Sequence, residues 1–186
     1  MEPIEINAGA WYLRALRADE RVDDRPALLA MAQDPATGLA RDGVTDVDGA
    51  SAWVARSAAG WADGTRCSWA VCEPSTGAMI GEVALLDVRG PLASLACRLL
   101  VEHRRRGVMT TAVGAVLRLA FADAAIGGLG LRRVACTHVT DGVGPAALAS
   151  RLGFTREGVA RGAAHDGGDL VVMARLAGDP PPPHGD

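Results

Sequence analysis

Lysine is missing altogether: all 19 basic residues of this 186-residue chain are arginine. That excludes Schiff-base chemistry on a lysine amine, and any phosphate site has to use arginine, backbone N–H groups or hydroxyls. Asparagine and glutamine occur once each, as Asn7 and Gln33, and Tyr12 is the one tyrosine. No run of eighteen apolar residues is present, and MEPIEINAGA at the start lacks the apolar stretch of a signal peptide. The expectation is a cytoplasmic protein with no membrane partner. A net charge of −3 leaves no electrostatic footprint for nucleic acid. His103, His138, His165 and His184 form no i, i+4 pair, and Cys67, Cys72, Cys97 and Cys136 show no C-x-x-C spacing. No metal site is expected, and the thiols read as buried and reduced.

Apolar residues make up 49% and charged residues 22%, a globular balance in a chain long enough for one substantial core. One domain is expected over residues 1–177. Residues 178–186, with four consecutive prolines, read as a disordered tail.

Trp11–Leu16 reads as a strand, followed by acidic capping signals (Asp19, Asp23, Asp24) and a helix from Pro26 to Met31. A second helix is expected over Asp48–Ala62. Cys67–Cys72 and Ala78–Val88 are apolar strands joined by the turn signal Glu73-Pro-Ser-Thr-Gly77. Leu95–Val101 reads as the next strand. Val113, Val116, Leu117, Ala120 and Phe121 recur at helical spacing and mark the clearest amphipathic helix. Strands at Leu131–Val139, Phe154–Val159 and Leu170–Leu176, with a short helix ending at Leu152, complete an irregular α/β alternation.

The chemistry concentrates in Glu102-His-Arg-Arg-Arg-Gly-Val-Met-Thr110, between the Leu95–Val101 strand and the amphipathic helix. First-turn N–H groups of a helix lack intrahelical partners, the dipole is positive there, and arginines add charge-assisted donors. On local chemistry alone the segment reads equally well as an anion cradle or as a solvated basic turn.

The order of elements resembles the GNAT superfamily of acyl-CoA-dependent N-acyltransferases, in the branch of the ribosomal-protein alanine acetyltransferases. The signature Gln/Arg-x-x-Gly-x-Gly/Ala falls on Arg104-Arg-Arg-Gly107-Val-Met109 at the expected junction. Trp11-Tyr-Leu-Arg-Ala-Leu-Arg17, Trp69-Ala-Val71, Ile80-Gly-Glu-Val83, Gly153-Phe154 and Glu157-Gly158 carry the similarity along most of the chain. The resemblance implies a mixed α/β (α+β) GNAT-like domain with a central, mostly antiparallel sheet, splayed open and flanked by helices. It implies that backbone groups of Leu99, Leu100 and Val101 pair with the pantetheine of acetyl-CoA. It likewise assigns the diphosphate to the amides of Arg104, Arg105, Arg106, Gly107, Val108 and Met109, with the Thr110 hydroxyl. The acceptor would be a small-molecule amine or a protein N-terminus, entering near the first two helices, and relatives suggest a homodimer as a candidate assembly.

The chain departs from the family pattern at five positions. Gly142 stands where relatives have a pantetheine-contacting Asn, and Pro145 where they have a Ser that protonates the leaving thiolate. Met109 fills the Gly/Ala position, Ser94 that of a strand carboxylate, and Arg98 that of an aromatic. His138 is the leading candidate for a general base acting through water. Its other reading is a structural histidine with both nitrogens satisfied by loop backbone. Glu82 is the second candidate base, read otherwise as an exposed strand carboxylate. Asp141-Gly142 reads as a turn, and the tryptophans as core. The function expected is acetyl transfer to a primary amine by direct attack. The rival is a GNAT-fold protein whose site has lapsed or been repurposed.

Overall fold

The computed structural model describes residues 1–182; part of the proline-rich tail, residues 183–186, lies outside the described residues. Eight strands and four α-helices follow one another as β1 (Ile6–Ala8), β2 (Trp11–Ala15), α1 (Arg25–Ala32), α2 (Val47–Asp63), β3 (Cys67–Cys72), β4 (Met79–Arg89), β5 (Leu92–Leu99), α3 (Val108–Phe121), β6 (Arg133–Val139), α4 (Val143–Arg151), β7 (Thr155–Ala160) and β8 (Leu170–Leu176). They form an open sheet of order β1-β2-β3-β4-β5-β6-β8-β7. Among the described residues no helix is long and apolar enough to cross a membrane. The chain divides into two compact units, one of Met1–Leu86 with Ala96–Val116, the other of Asp87–Leu95 with the described residues from Leu117.

In the first unit β3 is buried along its whole length, as a continuous apolar run between two covered faces should be. It pairs antiparallel with β2 on one side and β4 on the other, with Ala70 opposite Glu82. Leu28 and Met31 of α1 and Trp53 and Val54 of α2 bury themselves in one core with Leu16, Leu39, Val44, Ala70, Cys72 and Met79. Asp46 caps α2 by accepting from the Gly49 N–H at 2.8 Å, which starts that helix one residue earlier than its apolar spacing predicts. Asp24 also stands at a cap position, but its carboxylate makes no cap bond. Instead it takes both Arg14 guanidinium nitrogens, at 2.7 and 2.8 Å, and the Arg17 amide. The capping expected of Asp24 is therefore corrected: it is half of a buried ion pair.

In the second unit β8 is the central strand, antiparallel to β6 over seven residue pairs and to β7 across a bulge at Arg156/Gly158. The parallel pairing of β5 with β6 is registered over three pairs, from Leu92 with Arg133 to Ser94 with Ala135. Both expected boundaries of β5 move. β5 starts at Leu92 because Gly90, at φ +56°, turns the chain directly out of β4. It ends at Leu99, where Val101–His103 tightens into a 3₁₀ turn. The three-residue β1 was not anticipated, since its polar Asn7 and short length give no alternating signal.

Candidate active site

The site is built where β5 gives way to α3. Leu100 donates its N–H to Ile80 O at 2.9 Å, and the Arg104 N–H closes the 3₁₀ turn on Val101 O at 3.2 Å. The chain then enters the left-handed region at Arg105 (φ +62°) and again at Gly107 (φ +75°). Turns of this kind curl successive N–H groups toward one concavity. Thr111 N–H reaches Gly107 O at 3.0 Å, so Gly107 is the residue from which α3 grows. Among the described residues the amides of Arg105, Arg106, Gly107, Val108, Met109 and Thr110 find no acceptor within the chain. A Cβ built at position 107 would meet nothing within 4 Å, so the turn is open on that side of Gly107. The Arg105 and Arg106 side chains are exposed and the half-buried Thr110 hydroxyl makes no hydrogen bond among the described residues. A diphosphate fits this donor set, which offers several charge-assisted bonds of roughly 1.5–3 kcal/mol each.

Three of the expected cofactor contacts are already committed. The Arg104 amide is used in the 3₁₀ turn, and its guanidinium bonds to Asp34 and to Leu99 O, at 3.1 Å from Nη2 and 3.3 Å from Nε. Leu99 O is therefore occupied by Arg104, and the Leu100 N–H by β4. The Arg104 amide is withdrawn from the cradle, which begins at Arg105.

Met109 does not crowd the cradle in spite of its size. Its side chain lies over Gly81 of β4, where an added Cβ would stand 2.8 Å from Met109 Cε, 2.9 Å from Leu99 Cδ1 and 2.6 Å from Arg98 O. The glycine on β4 makes room for the methionine on α3, a compensation that no reading of the signature segment alone would find.

Glu82 is fully buried, which corrects the reading of it as an exposed strand carboxylate. It accepts from Trp53 Nε1 at 3.2 Å and Arg98 Nη1 at 3.0 Å, with Arg66 Nη2 at 3.7 Å. The guanidinium groups of Arg56, Arg66 and Arg98 each stand 4.8–4.9 Å from the centre of the Trp53 ring. Arg98 also donates to Thr37 O at 2.8 Å and to Asp42 at 3.1 Å. Trp53 is thus core and also the platform of an ion network. Burial of the Arg66 guanidinium, which disfavours its charge, lowers its pKa from the usual arginine value.

His138, Gly142, Pro145 and Ser94 belong to the second unit. His138 Nδ1 lies 2.8 Å from Val139 O, within hydrogen-bond reach of that carbonyl. Nε2 is buried with no partner among the described residues. Loop backbone thus satisfies one ring nitrogen and leaves the other without a partner among the described residues. Gly142 is the N-cap residue just before α4, with no side chain to cap it, and Pro145 sits in the helix's first turn, where a missing N–H costs nothing. Asp141 does make the expected turn, its carbonyl accepting from Val143 N–H at 2.9 Å. Ser94 lines an open hollow of about 360 Å³ together with Asp87, Arg89 and Arg133. Among the described residues no group of three or more His, Cys, Asp and Glu is placed to hold a metal ion.

No curated protein matches the chain. Among solved structures, a GNAT-family acetyltransferase from Bacillus anthracis is similar over 95% of this chain and 100% of its own, at 15% identity and a TM-score of 0.78. Ribosomal-protein-S5-alanine acetyltransferase from Vibrio fischeri is similar over 95% and 98%, at 15% identity and a TM-score of 0.73. The microcin C7 self-immunity acetyltransferase MccE, in complex with acetyl-CoA and AMP, is similar over 90% and 93%, at 16% identity and a TM-score of 0.73. These likenesses establish a shared fold. The acetyltransferase (GNAT) domain family itself matches residues 12–155, most of the chain including the whole cradle. The chain belongs to the GNAT acetyltransferase family and is an acyl-CoA-dependent N-acetyltransferase.

Proposed function

We propose that the protein is a cytoplasmic enzyme that transfers acetyl from acetyl-CoA to a primary amine, on a small molecule or a protein N-terminus, by direct attack. The single observation that carries this reading is the run of six amides from Arg105 to Thr110, unspent among the described residues, beside the exposed side chains of Arg105 and Arg106. In this reading they hold the diphosphate, and Leu99–Val101 lies beside the pantetheine. A new C–N bond forms as the C–S bond breaks, so the amine must lose a proton and the thiolate must gain one. His138, the candidate base, takes the amine proton through a water in this reading. With Gly142 and Pro145 in the acid positions, the thiolate is protonated by solvent, and proximity supplies most of the rate.

Calorimetric titration with acetyl-CoA tests the first part; no binding at high micromolar concentration overturns it. Release of free thiol over a panel of amines and N-terminal peptides tests the second. A positioned base contributes roughly 10²–10⁴-fold, so His138→Ala should lower kcat at least tenfold. An unchanged rate removes His138 from the mechanism.

A further inference from the structure

We propose that the Arg104 guanidinium is a latch: it covers the Leu99 carbonyl until the coenzyme diphosphate draws it away, and so couples binding of the two ends of the coenzyme. The inference rests on the reading of the cradle as a diphosphate site. Arg104 spans two acceptors, Leu99 O and the Asp34 carboxylate. Leu99 O lies at the end of β5, where the pantetheine amide needs an acceptor. Asp34 is the negative charge that holds the guanidinium there. One residue further on, Arg105 begins the row of unspent amides, so a diphosphate bound to them lies within reach of the same flexible guanidinium.

Asp34 and the diphosphate therefore compete for one cation, and the diphosphate carries more charge and more acceptor oxygens. The Asp34 end is firmly set. Its Oδ1 accepts from the Ala36 N–H at 2.9 Å, and the Thr37 hydroxyl is bonded to Met31 O at 2.9 Å. Leu39 and Val44, just beyond, are fully buried. Releasing Arg104 thus breaks one ion pair and the hydrogen bonds to Leu99 O, and leaves the Asp34 segment in place. The partners are 37% and 28% exposed at the side chain, so water screens the pair and a modest anion suffices to displace it. Coupling of this kind is reciprocal: whatever draws Arg104 off Leu99 must raise pantetheine affinity, and the converse holds.

The test uses ADP and S-acetylpantetheine as probes of the two ends, titrated by NMR, with acetyl-CoA titrated by calorimetry. For the wild type, ADP should tighten S-acetylpantetheine binding about two- to fivefold, the range of a partly exposed ion pair. Arg104→Ala should bind S-acetylpantetheine tighter by a similar factor and abolish the effect of ADP. Asp34→Asn, which keeps the Ala36 cap but loses the charge, should bind acetyl-CoA about two- to fivefold tighter. An Arg104→Ala protein that binds S-acetylpantetheine no better than wild type overturns the latch, as does an Asp34→Asn protein with unimproved acetyl-CoA affinity. In either case wild-type acetyl-CoA binding would still support the cradle. Absence of wild-type binding overturns both.

Discussion

Replacing Glu82 with Gln separates a structural carboxylate from a catalytic one. The carboxylate is fully buried and carries the negative charge between Arg98, 3.0 Å away, and Arg66, 3.7 Å away. Gln keeps the volume and an acceptor for Trp53 Nε1, but leaves two largely buried guanidinium groups without their shared counter-charge. Breaking a buried ion pair from one side costs about 3–5 kcal/mol, because the orphaned charge stays desolvated. For a chain of this size each kcal/mol moves the melting temperature by about 2–4 °C, so Glu82→Gln should melt about 6–20 °C below wild type. Circular-dichroism melts give that shift. Turnover at saturating acetyl-CoA, measured well below the lowered melting point, should fall less than tenfold, since both carboxylate oxygens are already engaged, by Trp53 Nε1 and Arg98 Nη1. A melting point within two degrees of wild type, with turnover down a hundredfold, would refute this reasoning and make Glu82 the base.

Asp24→Asn removes the charge from a pair whose side chains are only 7% and 2% exposed, and should destabilise by about 3–5 kcal/mol in urea titration. Gly81→Ala forces a Cβ to within 2.6 Å of Arg98 O and 2.8 Å of Met109 Cε, and should cost about 1–3 kcal/mol. Adding Met109→Ala should recover only part of that loss, because the Arg98 carbonyl is backbone and cannot step aside; full recovery would place the whole clash on the methionine. Burial pushes the Cys67 and Cys72 thiols up from 9.0 to about 11. The folded chain keeps those protons where the unfolded chain has released them, so their contribution to stability is intact below about pH 9 and is lost as pH rises toward 11. Urea midpoints at pH 7.5 and pH 10 check the sign, and native-state alkylation at pH 7.5 should leave both thiols unmodified.

Local chemistry made much of the fold legible. The short apolar run Cys67–Cys72, bounded by the Pro/Gly turn that follows it, reads as a covered strand, and Val113, Val116, Leu117 and Ala120 share one helical face. The same holds for the cradle, because an Arg-rich turn closed by a glycine before an amphipathic helix leaves its amides unpaired by the geometry of any helix start. Lysine's absence left the donors there to arginine, backbone N–H groups and hydroxyls.

Which donors remain available was a tertiary matter. Arg104 and Arg105 are neighbours of one type, yet Asp34, seventy residues upstream, takes one guanidinium and leaves the other to solvent. Met109 departs from the signature at no visible cost only because Gly81 on another element gives it room. Glu82 has the look of an ordinary alternating strand carboxylate until α2 brings Trp53 and β5 brings Arg98 against it. Spacing along a chain fixes which groups a turn or helix must leave unsatisfied; which distant partner then satisfies them depends on packing that no local pattern encodes.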